Sequence, residues 1–361
     1  MAHTTWFFDT FVLRDHVPNY QSYDERFAYL FNSYYNAEGD RHARPKRGML
    51  SRPSLDEIRQ WRARVDEALD DGFANLSPAA LELIELGINH EQQHQELFLT
   101  DILATFAENP IEPAYAEIAA PACFATEPLT FHSGRTGIVE IGAREEGFAF
   151  DCERPRHRLF LHPHAIASRK VTNGEWAEFI ADGGYSTASL WLSDGWDWVR
   201  REGIAAPLYW RGGAEAFTLA GRRPIDRAAP VSHISFYEAD AFARWAGARL
   251  PTEFEWEAAF ASADPMLGHQ LDRAGPVLPR PGGGPFGDVW QWTGSAFLPY
   301  PGFAPAEGAV GEYNGKFMSG QMVLKGASCA TPRGHSRASY RNFFYPHQRW
   351  QFTGLRLAKD L

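Results

Sequence analysis

The chain has 361 residues, 44% of them hydrophobic and 22% charged, the composition of a soluble globular protein long enough for two ordinary domains. Lys and Arg number 35 against 45 Asp and Glu, a formal charge of −10, which argues against a nucleic acid or an acidic membrane surface as partner. Three widely spaced cysteines, Cys123, Cys152 and Cys329, exclude a disulfide framework and a CxxC zinc site and suit a reducing cytoplasm. The opening MAHTTWFFDTFVLRDH has no basic n-region, and no apolar run approaches the ~20 residues of a membrane span, so neither a signal peptide nor a spanning helix is predicted.

Residues 1–108 read as an antiparallel helix bundle. The stretches 4–13 and 23–38 are helix candidates. The segment 54–70 opens on a Ser54–Glu57 capping box and then places Ile58, Trp61, Val65 and Leu69 at helical spacing. Residues 77–107 begin with a Ser77 cap and Pro78 at the first helical position, and run long without breakers. Four prolines and weak periodicity mark 109–128 as a linker. After 129 glycine and proline become frequent and apolar runs short, as at 138–141 and 158–161. With helices predicted over 172–182, 235–247 and after the turn at 251, residues 129–361 read as a loop-rich α+β domain. The fold class is therefore multidomain, α followed by α+β.

The helix 77–107 carries His90-Glu91-Gln92-Gln93-His94, which fits the H-E-x-x-H pattern of zinc proteases. Histidines four apart share one helix face and suit two ligands on one metal. The extended protease motif requires Gly at 97 and His at 100, where this chain has Leu97 and Thr100. Glu108 lies too far along the same helix to bend back, at ~1.5 Å per residue, and Glu112 follows it. A third ligand from another part of the bundle leaves His3, His16 and His42 as candidates, and a three-histidine site suits non-haem iron or zinc equally.

The stretches AHTTWFFDTF (2–11), LFNSYYNAEGDRHARPKRGMLSRPS (30–54) and INHEQQHQEL (88–97) resemble the ergothioneine-biosynthesis sulfoxide synthases. The resemblance continues through VTNGEWAEFIADGGY (171–185), LWLSDGWDWV (190–199), ARLPTEFEWEAA (248–259), GDVWQWTGSAF (287–297) and SYRNFFYPHQRWQFTGLRLA (339–358). It implies a DinB-like metal-binding bundle followed by a domain like the formylglycine-generating enzyme, a C-type-lectin-like fold. Family members carry a further helical segment before A-H-T-T-W, so the resemblance implies a bundle whose first helix is missing from the chain as written. It also implies Fe(II) as cofactor, O2 as co-substrate, and joining of a thiol sulfur to the imidazole of hercynine with oxidation to the sulfoxide.

Carried onto this sequence, the resemblance implies His3, His90 and His94 as iron ligands and Gln93 as a contact to the hercynine imidazole. Tyr34 and Tyr35 match an active-site tyrosine pair, in which a phenol supplies a proton or hydrogen bond. Arg44 and Arg47 match residues that meet the carboxylate of a cysteine-type donor, for which the guanidinium fork is suited. Asn342, Phe343 and Phe344 match the segment over the amino-acid end of hercynine, whose trimethylammonium favours aromatic faces. Some relatives have Trp-Asp at the positions of Phe343 and Phe344, and loss of that acid favours free cysteine over γ-glutamylcysteine. Small molecules are thus the expected partners.

Three other readings compete. A selenium counterpart would join a selenosugar to hercynine with similar domains and ligands, and the Arg44/Arg47 pair favours an amino-acid thiol instead. A copper oxidase of the formylglycine-generating type uses paired cysteines, whereas Cys329 stands alone in KGASCATP. An inactive ligand-binding protein with a lectin-like fold is opposed by the intact histidine set.

Overall fold

The structure is a computed structural model that describes residues 1–117, 126–307, 311 and 313–361, with Arg44 described in its backbone alone. Cys123 and part of the expected linker lie outside the described residues. The chain forms two compact units: Met1–His94 with Glu146–Cys152 and Ala304–Lys316, and Gln95–Glu145 with Glu153–Phe303 and Phe317–Leu361. Among the described residues no helix is long and apolar enough to cross a membrane.

The first unit is built on helices Ala2–Phe8, Leu55–Gly72 and Pro78–Ala107, the last continuing into the second unit. The aromatic run after His3 buries Trp6, Phe7, Phe8 and Phe11. The backbone widens into a π-helical turn over Asp9–Leu13, a feature frequent beside functional sites. There the buried Asp9 carboxylate accepts from Trp61 Nε1 at 2.7 Å and Ser22 Oγ at 3.1 Å, tying this helix to Leu55–Gly72. The Ser54 capping box forms, and Ile58, Trp61 and Val65 are the buried stripe that the spacing predicts. Gly87 has a packing reason: a Cβ there would stand 2.6 Å from the Phe8 ring. This close approach sets His90, one turn later, beside the aromatic helix.

The helix expected over 23–38 is shorter, spanning Arg26–Phe31. Asn32 ends it by holding Tyr35, with Oδ1 accepting from Tyr35 N at 2.9 Å and Nδ2 donating to Tyr35 O at 2.8 Å. Such side-chain bonds compete with the helical ladder.

The second unit centres on a six-stranded sheet. Its strands are β1 (Phe131–Ser133), β4 (His164–Lys170), β8 (Trp290–Ala296), β9 (Met322–Lys325), β10 (Asn342–Phe344) and β11 (Thr353–Asp360), after the hairpin of β2 (Gly137–Ile141) and β3 (His157–Leu161). The order is β1-β4-β11-β8-β9-β10, with β11 and β8 parallel and the other pairings antiparallel. A separate three-stranded sheet joins β5 (Trp210–Arg211), β6 (Glu215–Thr218) and β7 (Gly221–Pro224). Helices Asn173–Ala181, Phe236–Trp245 and Glu253–Phe260 start at capping boxes from Thr172, Ser235 and Thr252. Helix Ser193–Glu202 is additional to those predicted. Buried charges inside this unit are matched: Lys170 with Asp288 at 3.3 Å, Lys325 with Glu257 at 3.0 Å, and Arg356 with Gln291 Oε1 and the Ala167 carbonyl at 2.8 and 2.7 Å. Leaving such a charge unpaired would cost several kcal/mol, of order 3–5.

Candidate metal centre

His3, His90 and His94 converge in the helical unit, their candidate ligand atoms within 4.8 Å of one another. The Nε2 atoms of His90 and His94 are 3.1 Å apart, which suits two nitrogens at right angles on one ion with bonds of about 2.1 Å. His3 Nδ1 lies 2.8 Å from the Phe31 carbonyl. That oxygen can only accept, so Nδ1 carries the hydrogen and Nε2 presents a lone pair. His3 Nε2 is buried without a hydrogen-bond partner. Buried polar atoms of this kind call for an explanation, and an ion is one.

Burial drives all three imidazoles toward the neutral form. It lowers His3 to about 4, with the nearby Arg47 charge and the N-terminus pulling the same way and the Phe31 bond opposing. Burial lowers His94 to about 3 and His90 well below the ordinary value, helped by mutual repulsion within the group. Neutral imidazole is the form that ligates a metal, so no proton need be displaced near pH 7.

Glu91 is committed elsewhere. It accepts twice from Arg62 Nη1 at 3.0 Å, and so is not placed as the base of a zinc protease. Glu112 is held in the second unit by Arg211 and Arg222. Glu96, two residues past His94, is buried in the second unit as an anchor. Its carboxylate accepts from Trp290 Nε1 at 2.8 Å, Ser328 Oγ at 2.6 Å and Thr331 Oγ1 at 2.8 Å.

Tyr34 and Tyr35 come together more closely than adjacent helical residues would. With the helix already ended, their rings stack at 4.5 Å and the Tyr34 hydroxyl donates to that of Tyr35 at 3.3 Å. Tyr34 lies 6.4 Å from the His3 ring, and Tyr35 is fully buried against Trp6 at 5.4 Å. Arg47 donates to the Asn32 carbonyl at 2.8 Å and to Ser33 Oγ at 3.2 Å, bracing the loop that carries this pair. The side chain of Arg44 is outside the described residues.

Sequence reasoning missed Tyr313. This residue belongs to the Ala304–Lys316 segment of the helical unit. Its ring stacks on Phe150 at 5.3 Å and stands edge-on to His90 at 5.7 Å, and its hydroxyl donates to Gln93 Oε1. Lys316 in the same segment donates to the Tyr34 carbonyl and sits 5.2 Å over its ring. More than 200 residues separate these groups from Gln93 and Tyr34, so no local pattern announces them.

Asn342, Phe343 and Phe344 belong to the second unit, on β10. Phe343 stacks on Phe297 at 4.0 Å and lies 6.1 Å from Phe317, while Phe344 faces Trp350 at 5.9 Å.

Comparison with known proteins adds the lineage. Residues 126–272 match the sulfatase-modifying factor enzyme 1-like domain, which makes the C-terminal half formylglycine-generating-enzyme-like. The hercynine oxygenase of Mycobacterium tuberculosis is 35% identical over 349 residues, covering 89% of this chain and 81% of the relative. The chain belongs to the hercynine oxygenase family. The Mycolicibacterium smegmatis hercynine oxygenase is 34% identical over 308 residues, covering 76% of this chain and 71% of the relative. A formylglycine-generating enzyme of Streptomyces coelicolor matches a shorter stretch, 32% identical over 165 residues, 40% of this chain and 50% of that one. Within this hercynine oxygenase relative, Cys329 is fully buried as a free thiol, and burial pushes it well above the ordinary cysteine range. A thiol in that state is a poor nucleophile and metal ligand.

Proposed function

We propose that this member of the hercynine oxygenase family catalyses O2-dependent C–S bond formation between hercynine and cysteine, giving the hercynyl-cysteine sulfoxide of ergothioneine biosynthesis. The observation that carries the reading is the convergence of three histidines that burial holds neutral, His3 Nε2 among them buried and unpartnered, in a chain of this lineage. His3, His90 and His94 would hold iron(II), in what we read as a DinB-like bundle. Bound there, iron supplies O2 activation and acidification of a thiol.

The chain's own groups do the rest. In the resting site the Tyr313 hydroxyl bonds Gln93 Oε1, which leaves the Gln93 amide nitrogen as the donor for the imidazole of hercynine. The same phenol, beside His90, and the Tyr34–Tyr35 pair, beside His3, are the proton donors for reduced oxygen. Arg44 and Arg47 receive the carboxylate of cysteine. Asn342, Phe343 and Phe344 contact the amino-acid end of hercynine, and the absence of an acid at Phe344 favours cysteine over γ-glutamylcysteine as donor.

The test is to load the protein with Fe(II) anaerobically, admit air with hercynine and cysteine, and read the product by mass spectrometry. The expected product is hercynine plus cysteine plus one oxygen less two hydrogens. Product from a selenosugar but not from cysteine would transfer the proposal to selenium chemistry. No product from either donor with iron bound would refute it.

A further inference from the structure

Two glycines, one at each end of β2, fix the backbone beside two arginines that line one cleft. At the first end Gly134 N donates to the His164 carbonyl at 2.8 Å, and the His164 ring packs so close that a Cβ on Gly134 would collide with it. Arg135 follows directly. At the second end Gly142 turns the chain at φ 98°, where a Cβ would stand 2.9 Å from the Glu153 carbonyl. Ala143 N donates to that same carbonyl at 2.9 Å, and Arg144 comes next. The cleft has a volume of about 750 Å³, within the range of small-molecule sites. It is lined by Arg135, Arg144, Arg156, Glu140, Glu257 and Phe260 among others, and it lies wholly in the second unit.

The acids of this lining are already answered. Glu257 accepts from Lys325 Nζ at 3.0 Å and from Gly142 N at 2.7 Å. Glu140 accepts from Arg156 Nε at 3.3 Å, and Arg156 Nη1 donates to the Gly142 carbonyl at 2.9 Å. Arg135 and Arg144 are exposed and, among the described residues, have neither a hydrogen bond nor an ion pair. The chain as a whole carries a formal charge of −10. Two uncompensated guanidiniums in one concave site of such a chain make a local field that gathers anions.

The spacing of the two arginines defines the ligand. A guanidinium fork takes one carboxylate or one phosphate in bidentate fashion. Between Arg135 and Arg144 runs the whole of β2, five residues at ~3.3 Å each. That separation suits two anionic groups rather than one. We propose that this cleft is a second, metal-independent binding site for a small molecule with two separated anionic groups, two phosphates or two carboxylates. One group meets Arg135 and the other Arg144. The part of the ligand between them crosses a floor of Ala259, Phe260 and Ala338, which pack on the core of Ile166, Trp256 and Phe286.

The test is calorimetric titration of the full chain, without added metal. The probes are fructose 1,6-bisphosphate and adipate, each beside its single-anion analogue, fructose 6-phosphate and hexanoate. At least one of the two-anion probes is expected to bind once per chain, at least tenfold tighter than its analogue. Binding of the bisphosphate alone or of adipate alone supports the proposal and names the anion. Arg135→Gln and Arg144→Gln should each weaken binding about tenfold and melt like the parent, since both side chains are exposed. Arg201→Gln, on an exposed side chain of helix Ser193–Glu202 outside the lining, should leave binding unchanged. No saturable binding of either two-anion probe at millimolar concentration would overturn the proposal. So would single-anion analogues that bind as tightly, binding unchanged in Arg135→Gln and Arg144→Gln, or an equal loss in Arg201→Gln. Iron loading is read separately, so failure here leaves the metal reading intact.

Discussion

Glu96→Ala should separate the structural from the chemical part of HEQQHQE. The carboxylate is buried and three donors end on it, Trp290 and Ser328 on Oε1 and Thr331 on Oε2. Alanine strands those donors in a dry site, at about 1–3 kcal/mol for each one left unsatisfied. Partial rotation of the two hydroxyls toward other acceptors brings the expected total to about 3–5 kcal/mol. Glu96→Gln keeps an oxygen for Trp290 and Ser328, and its amide nitrogen meets Thr331, whose hydroxyl can turn to accept; that variant should cost about 1 kcal/mol. Urea unfolding followed by tryptophan fluorescence measures both, with iron content determined alongside. Ala and Gln variants of equal stability, or an alanine variant within 1 kcal/mol (about one neutral hydrogen bond) of the parent, would refute the reasoning.

Glu91→Gln should leave iron binding and turnover unchanged, because the side chain faces Arg62 in a part-exposed pair, and the stability loss should stay below about 1 kcal/mol. A hydrolytic reading would require that variant to be inert. Acid should unfold the protein through its buried histidines. His233 and His335 are each lowered to about 3, so between pH 6.5 and 3 the unfolded chain takes up protons that the folded chain refuses. Their stabilisation is complete above pH 6.5 and drains away as pH falls toward 3, by several kcal/mol at about 1.4 per pKa unit. Urea midpoints should drop between pH 7.5 and 5, and His335→Gln should shallow that slope. Tyr313→Phe should retain iron and slow product formation by about 10²-fold or more, as loss of a positioned proton donor does; a rate equal to the parent would remove Tyr313 from the chemistry.

What the sequence made legible follows from how local each signal is. The capping box at Ser54 is a four-residue pattern and forms as the sequence predicts, and the helices predicted over 172–182, 235–247 and after 251 start at boxes of the same kind on Thr172, Ser235 and Thr252. His90 and His94 face one way because a helix repeats every ~3.6 residues. The helix predicted over 23–38 stops at Phe31 because Asn32 ends it through bonds to Tyr35, three residues on, a competition that apolar periodicity does not register. With the helix ended at Phe31, the rings of Tyr34 and Tyr35 can stack, which adjacent helical residues cannot do. Tyr313, Lys316 and the partners of Glu96 stayed invisible for another reason. Their contacts join positions more than 190 residues apart, and one chain read alone has no term for such distances.

The most direct test of the central claim is anaerobic Fe(II) titration of the parent chain and of His3→Ala, His90→Ala and His94→Ala, with bound iron counted after desalting. One iron per parent chain, and loss of binding by at least tenfold in each variant, is the predicted result. Iron retained at full stoichiometry when any one of the three is removed, in a variant that still folds, would contradict the three-histidine centre and the chemistry built on it.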